Sequence, residues 1–402
     1  TWSNVLYLFL GTFLGSLVGV LPGIGPSAGM VLLLPLTFSL DPTTAIIMLA
    51  GVYYGAMFGG STSAILLNVP GESSSVMTAI EGYPLARQGR GGVALGMSAV
   101  SSFIAGTLSV VGLMFLAIPL TKFALALHSA ETAMLIMAIL TLIAGLSGST
   151  MLKGLAIGAL GLVLATIGAE PLSAQTRLHF GSMVLQPGIS FVAAGIGLFG
   201  LPEVIETIQK PFASAIQKGA VKLRDVFPSK QDYKDSLTAF PNGFIVGFIF
   251  GALPGLSGNV GQFVVQAVQK KFSKKPELFN GNGSIEAVAA IEGQNNASAV
   301  GSLVPMLSIG IPGTGAAAVL MGAMIVHGLQ PGPLLFQTRP EVAWGLIASM
   351  YLGNVMLLIL NMPLISIWIT IMRIPSHIIM VGVLALCVAG VYAIDNSMGN
   401  VY

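Results

Sequence analysis

Apolar runs separated by short polar or glycine-rich breaks occupy residues 5–20, 27–40, 43–70, 93–120, 130–147, 151–168 and 184–201. They resume at 240–253, 257–269, 285–311, 314–327, 342–372 and 376–394. The runs are continuous rather than alternating, which predicts membrane helices and not barrel strands. Between the two groups, the stretch IQKPFASAIQKGAVKLRDVFPSKQDYKDS mixes both charges with apolar residues. It predicts an amphipathic, solvent-side linker with one or two surface helices. The expected organisation is a first transmembrane repeat over 1–201, an amphipathic cytoplasmic linker over 202–238 and a second transmembrane repeat over 239–402.

Composition strengthens the membrane reading. The chain is 54% hydrophobic and only 8% charged, against about 25% charged in an ordinary soluble domain. Lipid must therefore serve as solvent, and an all-α polytopic membrane protein is expected. The formal net charge of +2 provides no basic field for nucleic acid. Cys387 is the one cysteine, so neither an intrachain disulfide nor a thiolate cluster can form. His128, His179, His327 and His377 are scattered and no HExxH pattern occurs. The 51 glycines and 22 prolines lie inside apolar segments, as tightly packed or broken helices require. The first residue is Thr1, which leaves room for an earlier natural start, and no removable signal peptide is seen.

Two motifs recur in the same order. GVLPGIGPSAG at 19–29 returns as GALPGLSGNVG at 251–261, an offset of 232 that aligns Gly19, Leu21, Pro22, Gly23 and Gly29 with Gly251, Leu253, Pro254, Gly255 and Gly261. NVPGESSS at 68–75 returns as GIPGTGAA at 310–317, an offset of 242 that also aligns Gly51 with Gly293 and Gly59 with Gly301. The ten extra residues fall in KKFSKKPELFNGNGS. An ordered pair of recurrences is an internal repeat. Segments 342–372 and 376–394 match 93–120 and 130–147, while 151–201 has no counterpart, so about two further spans are expected beyond Tyr402.

Loop charge gives the orientation. LTFSLDPTT (36–44) carries no base, whereas its counterpart is KKFSKK (270–275). EGYPLARQGRGG (81–92) carries Arg87 and Arg90, whereas GLQPGPLLFQT (328–338) carries none before Arg339. Basic loops stay cytoplasmic, so the reversed bias predicts an inverted-topology repeat. With the linker and 270–275 on one side, residues 239–269 enter and leave there. Each arm is then about 20 Å of helix, too short to span. A re-entrant hairpin with LPGLSG at its tip is the first expectation, and one broken, tilted span is the second.

Irregular backbone at membrane depth survives only in a protein interior or beside a wet cavity. Pro22 and Pro254 deny a helical hydrogen bond, and a half-helix restarting after each would aim free amides at an anion. Ser27, Ser257 and Asn259 stand beside those restarts. Ser73 and Ser74 in PGESSS, and Thr314 in PGTG, fall at two further helix starts. The structural alternative is that Gly and Pro only kink helices for packing. Asn68 and EGQNNAS (292–298) offer oxygen to a cation. For Asn295 and Asn296 the alternative is interhelical hydrogen bonding. For Glu292 it is pairing with lysine at the membrane face. Glu72 is read as interacting with a helix dipole rather than as a proton carrier. GLSG at 145–148 and 255–258 is similar to the nucleophile motif of intramembrane serine proteases, but no local pattern pairs a histidine with either serine. A catalytic role is not expected. A passive anion channel, the other competing class, would need a ring of like residues.

The stretches GTFLGSLVGVLPGIGPSAGMVLLLPLTF, LNVPGESSSVMTAIEGYPLARQGR, GALPGLSGNVGQ and EGQNNASAVGSLVPMLSIGIPGTGAAAVLMGAMIVHGLQPGPLLF resemble the large membrane subunit of the tripartite tricarboxylate transporter family. The resemblance covers essentially the whole chain. It implies about twelve spans in two inverted halves, with re-entrant or broken helices meeting near the midplane and further spans beyond both ends. It also implies a secondary carrier in the bacterial inner membrane that imports citrate or another tri- or dicarboxylate. Its partners would be a small four-helix membrane subunit and a periplasmic solute-binding protein. The drive would be a Na+ or H+ gradient, sodium being favoured by the lack of a well-placed buried acid pair. A stand-alone carboxylate carrier without a binding protein is the nearest alternative. Carried over by position, the substrate loops would be Gly23, Gly25, Pro26 and Ser27, then Gly71, Ser73 and Ser74, then Gly255, Ser257, Gly258 and Asn259, then Gly313, Thr314 and Gly315. The cation candidates are Asn68, Glu292, Asn295 and Asn296. The two LPG loops differ, with Ser257, Gly258 and Asn259 standing against Gly25, Pro26 and Ser27.

Overall fold

The two LPG motifs break their helices in the same way. A residue before proline is driven out of the α region. Accordingly α1 (Trp2–Val20) gives way to Leu21 at φ −83°, ψ 109°. A computed structural model describes residues 1–21, 24–146, 151–169, 175–183, 185, 186, 188, 189, 191–209, 223–254, 258–371, 374 and 376–395. Beyond the first break, α2 (Gly25–Leu33) passes into a 3-10 turn at Leu34–Thr37. Asp41 then caps α3 (Pro42–Leu67), accepting from the amides of Thr43 and Thr44 at 2.9 and 3.4 Å. Next come α4 (Val76–Arg87), α5 (Gly91–Ala126), α6 (Ser129–Leu146) and α7 (Met151–Ala165). A two-residue antiparallel pair, β1 (Gly168–Ala169) with β2 (Thr176–Arg177), follows. Then α8 (Phe191–Gly195) continues through one π-helical turn into α9 (Leu201–Gln209). In the expected linker lies α10 (Lys230–Asp235), started by a capping box between Ser229 and Asp232.

The second half opens with α11 (Ala239–Ala252), which ends at Leu253 with φ −98°, ψ 108° just before Pro254. It continues with α12 (Gly258–Phe272), α13 (Ile285–Gly301) and α14 (Leu303–Ser308). The last elements are α15 (Gly315–Val326), α16 (Leu335–Thr338), α17 (Pro340–Asn361), α18 (Ile365–Ile371) and α19 (Ser376–Asp395). The protein is an all-α polytopic membrane protein. Among the described residues, α1, α3, α5 and α17 are long and apolar enough to cross a bilayer. Exposed side chains such as Phe115, Leu152 and Ile157 suit contact with lipid. The run expected at 184–201 is only partly described, with α8 at its core.

Glycines let α1 lie directly on α3. A Cβ built at Gly11, Gly15 or Gly19 would meet the carbonyl oxygens of Met48, Val52 and Ala56 at 2.1, 2.3 and 2.2 Å. The second half repeats this: Gly243, Gly247 and Gly251 face the carbonyls of Ala290, Gln294 and Ser298 at 2.8, 2.3 and 2.2 Å. The six pairs correspond at the sequence offsets of 232 and 242. In each half the ascending numbers match ascending numbers, so α1 runs parallel to α3 and α11 runs parallel to α13. The chain between them must therefore return to its starting side, and α1–α2 and α11–α12 are hairpins.

Contacts between halves are also paired. α5 packs on α13 as α17 packs on α3, and α11 meets α5 as α1 meets α17. At the centre, Tyr53 of α3 touches Ser302 at the end of α13, while Asn295 of α13 reaches Glu72 beside Gly60 of α3. Ascending along α3 from 53 to 60 is descending along α13 from 302 to 295, so these equivalent helices pass antiparallel.

The linker binds both halves on one face. Asp232 accepts from Arg90 at 2.6 Å and Asp235 accepts from Lys275 at 2.6 Å. Beside them, the Glu81 carboxylate accepts from the amides of Asn280 and Gly281 and from Gln266. At the opposite ends of the helices, Thr37 Oγ1 and His327 Nε2 lie 2.9 Å apart and the Phe38 ring leans on the same histidine.

Candidate functional site

The breaks lie deep in the molecule. Gly19 is level with Ala56, and α3 runs eleven residues further, about 16 Å. Gly251 is level with Ser298, and α13 with α14 runs ten residues further, about 15 Å. Both hairpin tips thus stop short of the far ends of α3 and α14 by about half the thickness of a hydrocarbon layer of about 30 Å. Gly25 enters α2 at φ +61°, a conformation that a side chain resists, and open space lies where its Cβ would be.

Each tip meets the PG loop of the other half or its own. Gly71 packs against the Gly19 carbonyl, 2.5 Å from a built Cβ, and Gly313 packs against the Gly251 carbonyl at 2.6 Å. Past Gly71, a 3-10 turn at Ser73–Ser75 leads into α4. Past Gly313, Thr314 caps α15 by accepting from the Ala317 amide at 3.1 Å. The first PG loop is tied to α12: Ser73 donates to Asn259 Oδ1 at 3.1 Å. Gln262 accepts from the Met77 amide at 2.8 Å and donates to the Ser73 carbonyl at 3.0 Å.

The structure therefore gathers Ser73 and Asn259 directly, with Gly71, Ser74 and Gly258 as buried backbone around them. Thr314 bonds Tyr53 at 3.2 Å, and Gly315 next to it is exposed. Pro26 is buried at the first turn of α2, and Ser27 behind it is partly exposed. Pro22, Gly23, Gly255, Leu256 and Ser257 lie outside the described residues. Ser73, Asn259 and Gly315 reach solvent although they stand at mid-depth, as the wall of a wet cleft would.

The four cation candidates do not form one cluster. Glu292 accepts from Thr78 and, at 3.2 Å, from Ser98, all within a buried seam of α4, α5 and α13. It is 0% exposed, and no lysine pairs with it among the described residues. Asn296 belongs to the same seam and donates to Ser102 at 2.7 Å. Asn295, one residue earlier, points to another face of α13 and donates to Glu72 Oε1 at 2.8 Å. Asn68 ends α3 in the left-handed conformation, φ 58°, and is exposed; no described hydrogen bond joins it to the other three.

Glu72 does not cap its helix with its side chain; it turns inward to Asn295 instead. Tyr53, Ser302, Ser75 and Gln262 were not singled out by the sequence reading. The offset of 242 had the means to find Tyr53, because it maps Tyr53 onto Asn295 and Glu72 onto Thr314. Gln262, Gln266 and Gln269 share one helical face of α12, a polar stripe inside an apolar run.

Residues 5–402 match the Tripartite tricarboxylate transporter TctA family. The chain belongs to this family. A TctA-family chain is a subunit of a tripartite transporter, and a membrane protein carrying several apolar helices suits that role. The chain is 41% identical over 399 residues to an Agrobacterium vitis protein described as "Uncharacterized 52.8 kDa protein in TAR-I ttuC' 3'region", covering 99% of this chain and 79% of that one. It is 40% identical over 156 residues to the same organism's "Uncharacterized protein in TAR-II ttuC' 3'region", covering 39% of this chain and 64% of that relative. No solved structure matches.

Proposed function

We propose that this TctA-family subunit imports an organic tri- or dicarboxylate across the bacterial inner membrane, driven by a Na+ or H+ gradient. A periplasmic solute-binding protein delivers the substrate and a small four-helix membrane subunit completes the assembly. The carrying observation is the meeting of two broken-helix tips with two PG loops at mid-depth. Half-helix amides and the hydroxyls of Ser27, Ser73 and Thr314 can hold carboxylate oxygens without a basic residue. Two inverted halves then rock about this site to expose it alternately; the antiparallel passage of α3 and α13 supports that reading. Arg90, Lys275 and the linker share one face, which the positive-inside rule assigns to the cytoplasm. A passive channel is less well supported, because the equivalent positions around the cleft carry unlike residues rather than a ring of like ones.

The test is accumulation of a labelled carboxylate by vesicles holding all three components under an imposed ion gradient. Uptake against the substrate gradient is expected. Gly25→Val, which forces a β-branched residue to φ +61°, is expected to lower uptake more than tenfold while the protein remains inserted. Equal flux with and without the ion gradient would support the channel instead.

A further inference from the structure

The first PG loop holds an unexplained group of oxygens. The Glu72 carboxylate, half-buried at mid-depth, is oriented by the Asn295 amide through Oε1. The other end of that amide, Asn295 Oδ1, is buried and has no hydrogen-bond partner among the described residues. Ser75 Oγ is buried as well, and its hydroxyl stands beside the Glu72 carboxylate and interacts with it. It faces Glu72 across Gly60: a Cβ placed on this glycine would lie 3.1 Å from Ser75 Oγ, 3.4 Å from Glu72 Cγ and 3.7 Å from Glu72 Oε1. Asn295 and Ser75 are 1% and 0% exposed. Buried oxygens are seldom left unpaired, and an orphan amide oxygen and a buried hydroxyl beside one carboxylate mark a place for a ligand that accepts oxygen donors. No basic side chain pairs with Glu72 among the described residues.

We propose that Glu72, Ser75 and Asn295 form a binding site for a monovalent metal cation, sodium, beside the substrate cleft. Hard cations take oxygen ligands, and one carboxylate among neutral oxygens balances a single positive charge. Ser73, between Glu72 and Ser74, belongs to the cleft wall and holds Asn259. Cation and carboxylate substrate thus share one short loop, and each favours the binding of the other. The site rests on the transport reading above for its purpose, but its existence is testable apart from it.

The experiment is equilibrium binding of 22Na+ to the purified full chain in nanodiscs at fixed pH, with potassium as the background ion. Saturable binding is expected. Glu72→Gln should weaken it by more than tenfold and Ser75→Ala, the milder change, by about threefold to tenfold; elution as a single species checks that each variant is folded. Binding that is unchanged in both variants overturns the site. Absence of sodium binding, while three-component vesicles still accumulate carboxylate on a proton gradient, overturns the site and leaves the transport reading standing. Sodium binding that Glu72→Gln removes, in a protein whose vesicles accumulate no carboxylate, upholds the site and overturns that reading.

Discussion

In the first half the loop after α3 sets a carboxylate against an amide, Glu72 with Asn295 at 2.8 Å. In the second half the two equivalent positions hold a hydroxyl and a phenol, Thr314 with Tyr53 at 3.2 Å. The backbones that bring these pairs together are alike, down to the glycine ladders and the extended leucines before Pro22 and Pro254. Only the side chains differ. The same contrast recurs one residue on, where Ser73 bonds Asn259 but its counterpart Gly315 has nothing to offer Ser27. Packing thus follows the duplication closely, while the chemistry of the two clefts has diverged. One PG loop brings an acid beside the substrate hydroxyls, and the other brings none.

The largest effect should come from the part the halves share. Gly15→Leu and Gly247→Leu each drive a side chain into a carbonyl oxygen about 2.3 Å from the Cβ position. Both should cut the yield of single-species membrane protein severely, because helices cannot separate here without losing their whole contact. Tolerance of one and not the other, measured by size-exclusion profile and thermal unfolding, would break the equivalence of the scaffold. A smaller effect belongs to the part they do not share. Thr314→Val removes both the α15 cap and the Tyr53 bond. A stability loss of about 1 kcal/mol is expected from the cap, with carboxylate uptake down about tenfold. Thr314→Ser should restore most of each. Unchanged uptake in Thr314→Val would remove the neutral cleft from the substrate site.

The smallest effect lies on the linker face. Burial pushes the Asp232 carboxyl up, but the Ser229 hydroxyl and amide, together with Arg90, outweigh it and hold the group below its ordinary value. A carboxylate depressed in the folded state contributes stability above its unfolded pKa and loses that contribution as pH falls through the folded one. Asp232→Asn should therefore cost at most about 1 kcal/mol at pH 7, since Arg90 is partly exposed. The gap between variant and parent melting temperatures should close below about pH 4. A gap that widens on acidification would mean that Asp232 is not the group responsible.

Much of the scaffold was legible in the sequence because lipid permits few solutions. Long apolar runs had to be helices, and a proline with glycines inside them had to end one helix and start another. The recurrences at offsets of 232 and 242 located the glycines that pack in both halves. Legibility ended where partners are set by tertiary contact. Glu72 carried a local explanation, the helix dipole, that its inward turn to Asn295 supersedes. Asn295 and Asn296 are neighbours in sequence, yet one residue is about 100° of helix, and that rotation sends them to separate seams. Tyr53 looked like one more apolar position in a run whose residues are almost all buried. Its hydroxyl acquires meaning only when Ser302 and Thr314 arrive from the other half.

The linker clasp has a mechanical consequence. Arg90 and Lys275 lie in different halves, and α10 grips both through Asp232 and Asp235. On the far face, among the described residues, Thr37 and Phe38 meet His327 in that place. The two ends of the molecule therefore differ in how they respond to salt. Ion pairs near water weaken as ionic strength rises, whereas a ring contact and a neutral hydrogen bond do not. Ionic strength at the linker face thereby loosens one end of the molecule and spares the other.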